Sequence, residues 1–392
     1  MLILDLPEPD LDARQHSQAL TDVIVREIKA AGGWIDFSQY MTLALYAPGL
    51  GYYSAGLQKF GEGGDFITAP ELSPLFAQSL ANPVAAVLSD MAGGNIIEFG
   101  AGSGVLAAGL LAELHLKQQL PERYFIIELS AELKQRQQQT LNQRVPELMD
   151  RVEWLDALPE QPLKAVVLAN EVLDAMPVRR FVKMGNEVQA LGVAISDDGL
   201  VLRPGETDTD LQQAVDHVEE DIGHQLAPAY RSELNLNIEP WLRSLADALL
   251  QGAVYLIDYG YPRSEYYLPE RDMGTFMCYY RHRTHDDALW YPGLQDMTAF
   301  VDFTAVAEAA LAAGFEIAGF TSQSNFLLDS GMAELLERQM PDSEKERIAL
   351  VQQMKSLTLP TEMGERFKVM ALDKNLPGII PGFRLRDYSA RL

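Results

Sequence analysis

The chain has 392 residues, and its 31 Lys+Arg against 56 Asp+Glu give a formal net charge of −25 at pH 7. Nucleic acids and anionic membrane surfaces are both held by cationic side chains, so this balance argues against either as a partner, and the best basic cluster, Arg281, His282, Arg283 and His285, is too short to line a groove. Cys278 stands alone, which excludes an internal disulfide and a multi-thiolate zinc site and matches a reducing, cytoplasmic compartment.

At the start of the chain, Asp5, Glu8, Asp10 and Asp12 stand where a signal or transit peptide carries Lys or Arg, so no targeting segment is expected. No apolar run reaches the ~18 residues of a membrane helix. Residues 1–90 read as a helical segment followed by a lid loop. A helix is predicted from Thr21, its cap, to Ala30 before Gly32-Gly33, and a second, capped by Asp36 or Ser38, through Leu45. From Tyr46 to Phe76 the chain holds too much Gly, Pro and aromatic side chain for a regular element, and it reads as a long structured loop. Within it Tyr46, Tyr52 and Tyr53 read either as lid core or as substrate contacts.

From about residue 93 short apolar runs alternate with helical stretches. Strands are predicted over Asn95–Phe99, Tyr124–Glu128, Val152–Leu155 and Ala165–Ala169, and helices over Val105–Leu116 and Ala131–Asn142. Such alternation means a parallel sheet with both faces covered. The glutamine-rich run Lys134–Gln139 reads as a solvated helix face. Residues 178–250 break the pattern, with a β-meander over Arg180–Lys183, Val188–Ile195 and Leu200–Arg203, then an acidic helical stretch to Leu250. No Lys or Arg lies between Arg203 and Arg231, and the acids there form either a solvated helix face or a docking surface for a basic partner. The core resumes with Ala253–Ile257, a helix over Thr304–Ala313, and strands over Phe315–Phe320 and Phe367–Leu372, interrupted by a helical insertion from Met332 to Ser356. The expected organisation is an α/β, Rossmann-like domain over 91–392, with insertions at about 178–250 and 325–365.

The strongest chemical signal is Glu98-Phe-Gly100-Ala101-Gly102-Ser103-Gly104 at the junction of the first strand and its helix. A turn without side chains lets backbone amides approach a ligand closely. Val105 stands where a dinucleotide fingerprint needs Gly or Ala, and no Gly-Lys-Ser/Thr follows for a P-loop. Glu128 ends the second strand, with Leu129 beside it, where a carboxylate can accept two ribose hydroxyls or cap the next helix. Asp156, after the third strand, can reach an adenine amino group or occupy a surface turn.

The fourth strand ends in Ala169-Asn170-Glu171-Val-Leu-Asp174-Ala-Met-Pro177 and the fifth in Asp258-Tyr-Gly260, so Asn170, Glu171, Asp174 and Asp258 gather where open parallel sheets bind ligands. Carboxylates there suit a cationic acceptor. A planar guanidinium is held bidentately by them, and they can accept a proton from a nitrogen whose free pKa exceeds ~12. Tyr279, Arg281 and His282, in the loop after Gly274, are placed to close over the site; His282 and His285 have no third ligand at metal-site spacing, so no metal is expected.

The glycine turn resembles the first motif of class I S-adenosylmethionine-dependent methyltransferases, and the whole chain resembles the MidA-like family of these enzymes, whose mitochondrial member is an assembly factor for respiratory complex I. The matching blocks are Phe37–Pro48, Gly51-Tyr52-Tyr53, Gly64–Phe76, Glu98–Gly104, Ala169–Pro177, Asp258–Tyr261 and Gly274–Phe276, in order over residues 34 to about 320. The resemblance implies a seven-stranded methyltransferase sheet with helices on both faces, S-adenosylmethionine as cofactor, and arginine methylation on a partner protein. It also gives Gly64, Asp65, Phe66, Ile67 and Thr68 a cofactor or active-site role, Pro70 stiffening that loop. A small-molecule methyltransferase and an assembly chaperone with a retained cofactor site are the alternatives, and a homodimer is left open.

Overall fold

The computed structural model describes residues 6–55 and 68–392. They divide into two compact units, one drawn from Ile67–Leu173, Ile238–Gly260 and Phe303–Leu392, the other from Met1–Phe66, Asp174–Asn237 and Tyr261–Asp302. The expected boundary near residue 90 is not where these units divide. The helix Pro74–Asp90 packs in the same hydrophobic core as the strands that follow it, whereas residues 178–237 leave that core.

The α/β unit is built on strands β1 (Asn95–Phe99), β2 (Tyr124–Ile127), β3 (Val152–Leu155), β4 (Leu163–Asn170), β5 (Leu249–Tyr261), β6 (Glu316–Ser322) and β7 (Phe367–Lys374). Their order across the sheet is β6-β7-β5-β4-β1-β2-β3. β1 to β5 run parallel, while β7 is antiparallel between β5 and β6. Ala165–Ala169 and Ala253–Ile257 are apolar at every position and buried at every position, as a sheet covered on both faces requires. Helices lie on both faces. Val105–Leu116 buries Leu106, Leu110, Leu111 and Leu114 in one core with Phe76, Leu80 and Val84 of the helix Pro74–Asp90. The expected insertion after residue 325 is three helices, Gln323–Asp329, Met332–Arg338 and Glu344–Thr358.

The other unit is antiparallel. Strands Arg179–Met184, Glu187–Ser196 and Gly199–Thr207 form the expected meander, joined by Arg231–Leu234 and by Trp34–Asp36, a strand that the helical pattern there concealed. Two further expectations are corrected. The first helix runs over Leu11–Ala30 with Asp10 as its cap, and Thr21 is an interior residue whose hydroxyl donates to the Ser17 carbonyl. The acidic stretch is not one helix to Leu250: it is the helix Thr209–Ile222, the strand Arg231–Leu234 and the helix Ile238–Ala248, with Leu249 opening β5.

Within this unit three of the acids pair with cations of the chain. Glu219 pairs with Lys183 at 2.6 Å, Asp208 caps Thr209–Ile222 while accepting from Arg179 at 2.8 Å, and Asp221 meets Arg263 at 3.2 Å. Tyr46 stacks on Tyr53 and donates to the Ala175 carbonyl, and Tyr53 donates to Asp296 at 2.8 Å. Asp174 is buried in the same unit, its carbonyl accepting from the Ala299 amide. Arg281 and His282 are the left-handed tip of a hairpin, φ +46° and +61°, between the strands Met277–Tyr280 and Arg283–His285. Tyr279 lies in the first of these strands, opposite Thr284.

Candidate active site at the carboxyl edge of the parallel sheet

Strand register builds the site. Phe99 pairs with Ile127 and with Ala169, Ile127 pairs with Leu155, and Asn170 pairs with Ile257. The residues that leave these strands, Gly100, Glu128, Asp156, Asn170, Glu171 and Asp258, therefore share one edge of the sheet. Chain order reverses there, because β1 leads outward through β2 and β3 while β4 and β5 lie on its other side. This is the switch point at which open α/β sheets bind ligands.

Gly100, Gly102 and Gly104 have φ of +60°, +53° and +82°, a left-handed backbone that disfavours any side chain. A Cβ on Gly104 would also come within 3.1 Å of Gln137 Cα. Ala101 and Ser103, between the glycines, are buried, and the Ser103 hydroxyl donates to Glu71. Thr68 precedes the short helix Ala69–Leu72 that carries Glu71. Gly64 and Asp65, expected to serve cofactor and acceptor, lie outside the described residues, as do Phe66 and Ile67.

Gln137 corrects the solvated-face reading of Lys134–Gln139. It is fully buried, its Nε2 donates to the Gly102 carbonyl and to Glu128 Oε2, each at 3.1 Å, and its Oε1 accepts from Trp154 Nε1 at 2.9 Å. One side chain thus ties the glycine turn to the ends of β2 and β3. The signal was the spacing Leu133, Gln137, Leu141, a stripe at one helical face that is buried throughout.

The carboxylates differ in setting. Glu98 is 2% exposed and accepts from the Tyr124 hydroxyl at 2.7 Å; burial pushes its carboxyl up to about 7, against the pull of that bond. Glu128 accepts from the Ser130 amide at 2.8 Å as well as from Gln137, and burial raises its pKa against those bonds. Leu129 beside it is exposed, and so is Asp156, which pairs with Lys134. Asp258 is buried and accepts from two backbone amides, Leu173 at 3.0 Å and Tyr259 at 2.9 Å, so it pins the segment after β4 to the end of β5.

Glu171 is a non-glycine residue at φ +54°, a conformation that costs about 1 kcal/mol or more and persists where its surroundings impose it. Its amide donates to the Ile257 carbonyl at 2.9 Å, and Asn170 Nδ2 donates to its Oε1 at 3.2 Å. Asn170 Oδ1 is buried and finds no partner among the described residues. Among the described residues no three His, Cys, Asp or Glu are grouped as metal ligands.

A parallel sheet in this strand order, with a glycine turn after β1 and carboxylates at the ends of β2, β4 and β5, is the architecture of a class I methyltransferase. Residues 79–321 match the profile of a family of S-adenosyl-L-methionine-dependent methyltransferases. A superfamily member from Burkholderia thailandensis, whose crystal structure holds S-adenosyl-homocysteine, is 43% identical with a TM-score of 0.94, covering 99% of this chain and 100% of that one. The mitochondrial protein arginine methyltransferase NDUFAF7 is 28% identical in Danio rerio, over 87% of this chain and 84% of the relative, and 28% in Homo sapiens, over 89% and 82%. The chain belongs to this methyltransferase family, and its cofactor is S-adenosylmethionine.

The residues present fit that group. The left-handed glycines make a turn of backbone without side chains at the end of β1, and the buried Asn170 Oδ1, with no partner among the described residues, is an acceptor open to a donor.

Proposed function

We propose that this methyltransferase acts on an arginine side chain of a partner protein. The observation that carries the reading is Glu171, held left-handed at the switch point with its carboxylate fixed by Asn170. The NDUFAF7 relatives, named as protein arginine methyltransferases, favour the same acceptor.

The bound cofactor supplies an electrophilic methyl group on a sulfonium. Residues 100–104 would hold its amino-acid end and Glu128 its ribose hydroxyls, and Leu129 and Asp156 would serve its base. Glu171 accepts N–H bonds from the guanidinium, which orients one nitrogen, and takes at its carboxylate the proton released when that nitrogen is methylated. Asp258 acts by position: its bond to the Leu173 amide holds the segment that carries Glu171.

The test is incubation of the purified chain and isotopically labelled S-adenosylmethionine with a lysate, followed by peptide mapping. The reading expects label on arginine side chains of one or a few proteins. Label confined to metabolites would favour a small-molecule acceptor. Binding of cofactor without any transfer would favour an assembly role.

A further inference from the structure

Glu71 stands outside every assignment above, yet it is the carboxylate that the glycine turn itself holds. Its Oε1 accepts from the hydroxyl of Ser103, which lies between Gly102 and Gly104. Ala69 and Pro70, before it, are buried, so the short helix that presents it is anchored, while Glu71 is only half-buried. S-adenosylmethionine and S-adenosyl-homocysteine both carry an α-ammonium group at their amino-acid end. A cation taken out of water needs an anionic or hydrogen-bonding partner.

The other carboxylates at this edge have other partners. Glu98 is 2% exposed and bonded to Tyr124, Glu128 is bonded to Ser130 and Gln137, and both oxygens of Asp258 accept from backbone amides. Glu171 stands at the end of β4, beside Asn170. One hydroxyl bond leaves an ionised carboxylate most of its acceptor sites.

We propose that Glu71 binds the α-ammonium group of the cofactor, with Ser103 orienting its carboxylate. The proposal rests on the reading that residues 100–104 hold the amino-acid end of the cofactor, and its test separates the two. Calorimetry on the full chain would use S-adenosyl-homocysteine and 5′-methylthioadenosine, which keeps the nucleoside and thioether but lacks the amino acid. Glu71→Gln is expected to weaken S-adenosyl-homocysteine roughly 10- to 100-fold and to leave methylthioadenosine within about twofold. An equal loss for both ligands, or none for S-adenosyl-homocysteine, overturns the proposal. If Gly104→Val leaves both affinities unchanged, the turn reading itself fails. Should Glu71→Gln lose cooperative thermal unfolding, Ser103→Ala is read in the same way: a several-fold loss confined to S-adenosyl-homocysteine supports the assignment, and any other pattern overturns it.

Discussion

The best-buried charged contacts of the two units differ in kind. In the antiparallel unit three carboxylates meet cations of the chain: Glu219 and Lys183 pair with side chains 10% and 2% exposed, and Arg179 lies between Asp36 at 2.9 Å and Asp208 at 2.8 Å. At the carboxyl edge of the parallel sheet, neutral donors hold them instead: a tyrosine hydroxyl for Glu98, the Ser130 amide and Gln137 for Glu128, two backbone amides for Asp258. A cation cancels charge as it orients it, whereas a neutral donor orients it and leaves the charge in place. The net charge of −25 is therefore a poor guide to the partner, and the setting of a few carboxylates is a better one.

The comparison can be broken most directly in the antiparallel unit. Lys183→Met strands Glu219 beside a buried apolar site and is expected to cost about 3–5 kcal/mol in urea unfolding, most of it recovered in Lys183→Met/Glu219→Leu. A loss under about 1 kcal/mol would mean that this pair is not what holds the helix to the meander.

The next effect is in the sheet. The carboxyl of Glu98 moves from an ordinary 4.5 to about 7 on folding, so burial favours its protonated form. That contribution is fully present below the unfolded value and is lost as pH rises through the folded one. Stability of the wild type relative to Glu98→Gln, measured without cofactor, should fall by roughly 3 kcal/mol from about pH 4 to about pH 8. A flat difference would contradict the burial of an ionisable group there.

Gly104→Val forces a β-branched side chain into φ +82° against Gln137 and should weaken S-adenosyl-homocysteine roughly 100-fold, about 2.7 kcal/mol. Smallest is Asp156→Ala. It removes an exposed pair with Lys134, so stability should change by less than about 1 kcal/mol, and a larger thermal shift would show that neutral donors are not the rule at this edge.

The parallel strands were legible because each holds a short, mainly apolar run that ends near a glycine or a carboxylate. Val152–Leu155 and Val105–Leu116 coincide with their observed bounds. The antiparallel unit was harder because chain-distant segments make it. Trp34–Asp36 is three residues long and becomes a strand through pairing with Gly192–Ala194, a partner that no local pattern announces. Gln137 was hidden for a related reason: glutamine reads as solvated until the groups it bonds, Gly102, Glu128 and Trp154, are brought together by the fold. Glu171 was legible as a carboxylate at a strand end, but its left-handed backbone was not.

The central claim is that the carboxylate of Glu171 receives a guanidinium. The most direct measurement is methyl transfer by Glu171→Gln to the arginine peptide found in the mapping experiment, with S-adenosyl-homocysteine affinity measured on the same preparation. The account predicts at least a roughly 100-fold fall in kcat with cofactor affinity within about twofold of wild type. Undiminished transfer by this variant would contradict it.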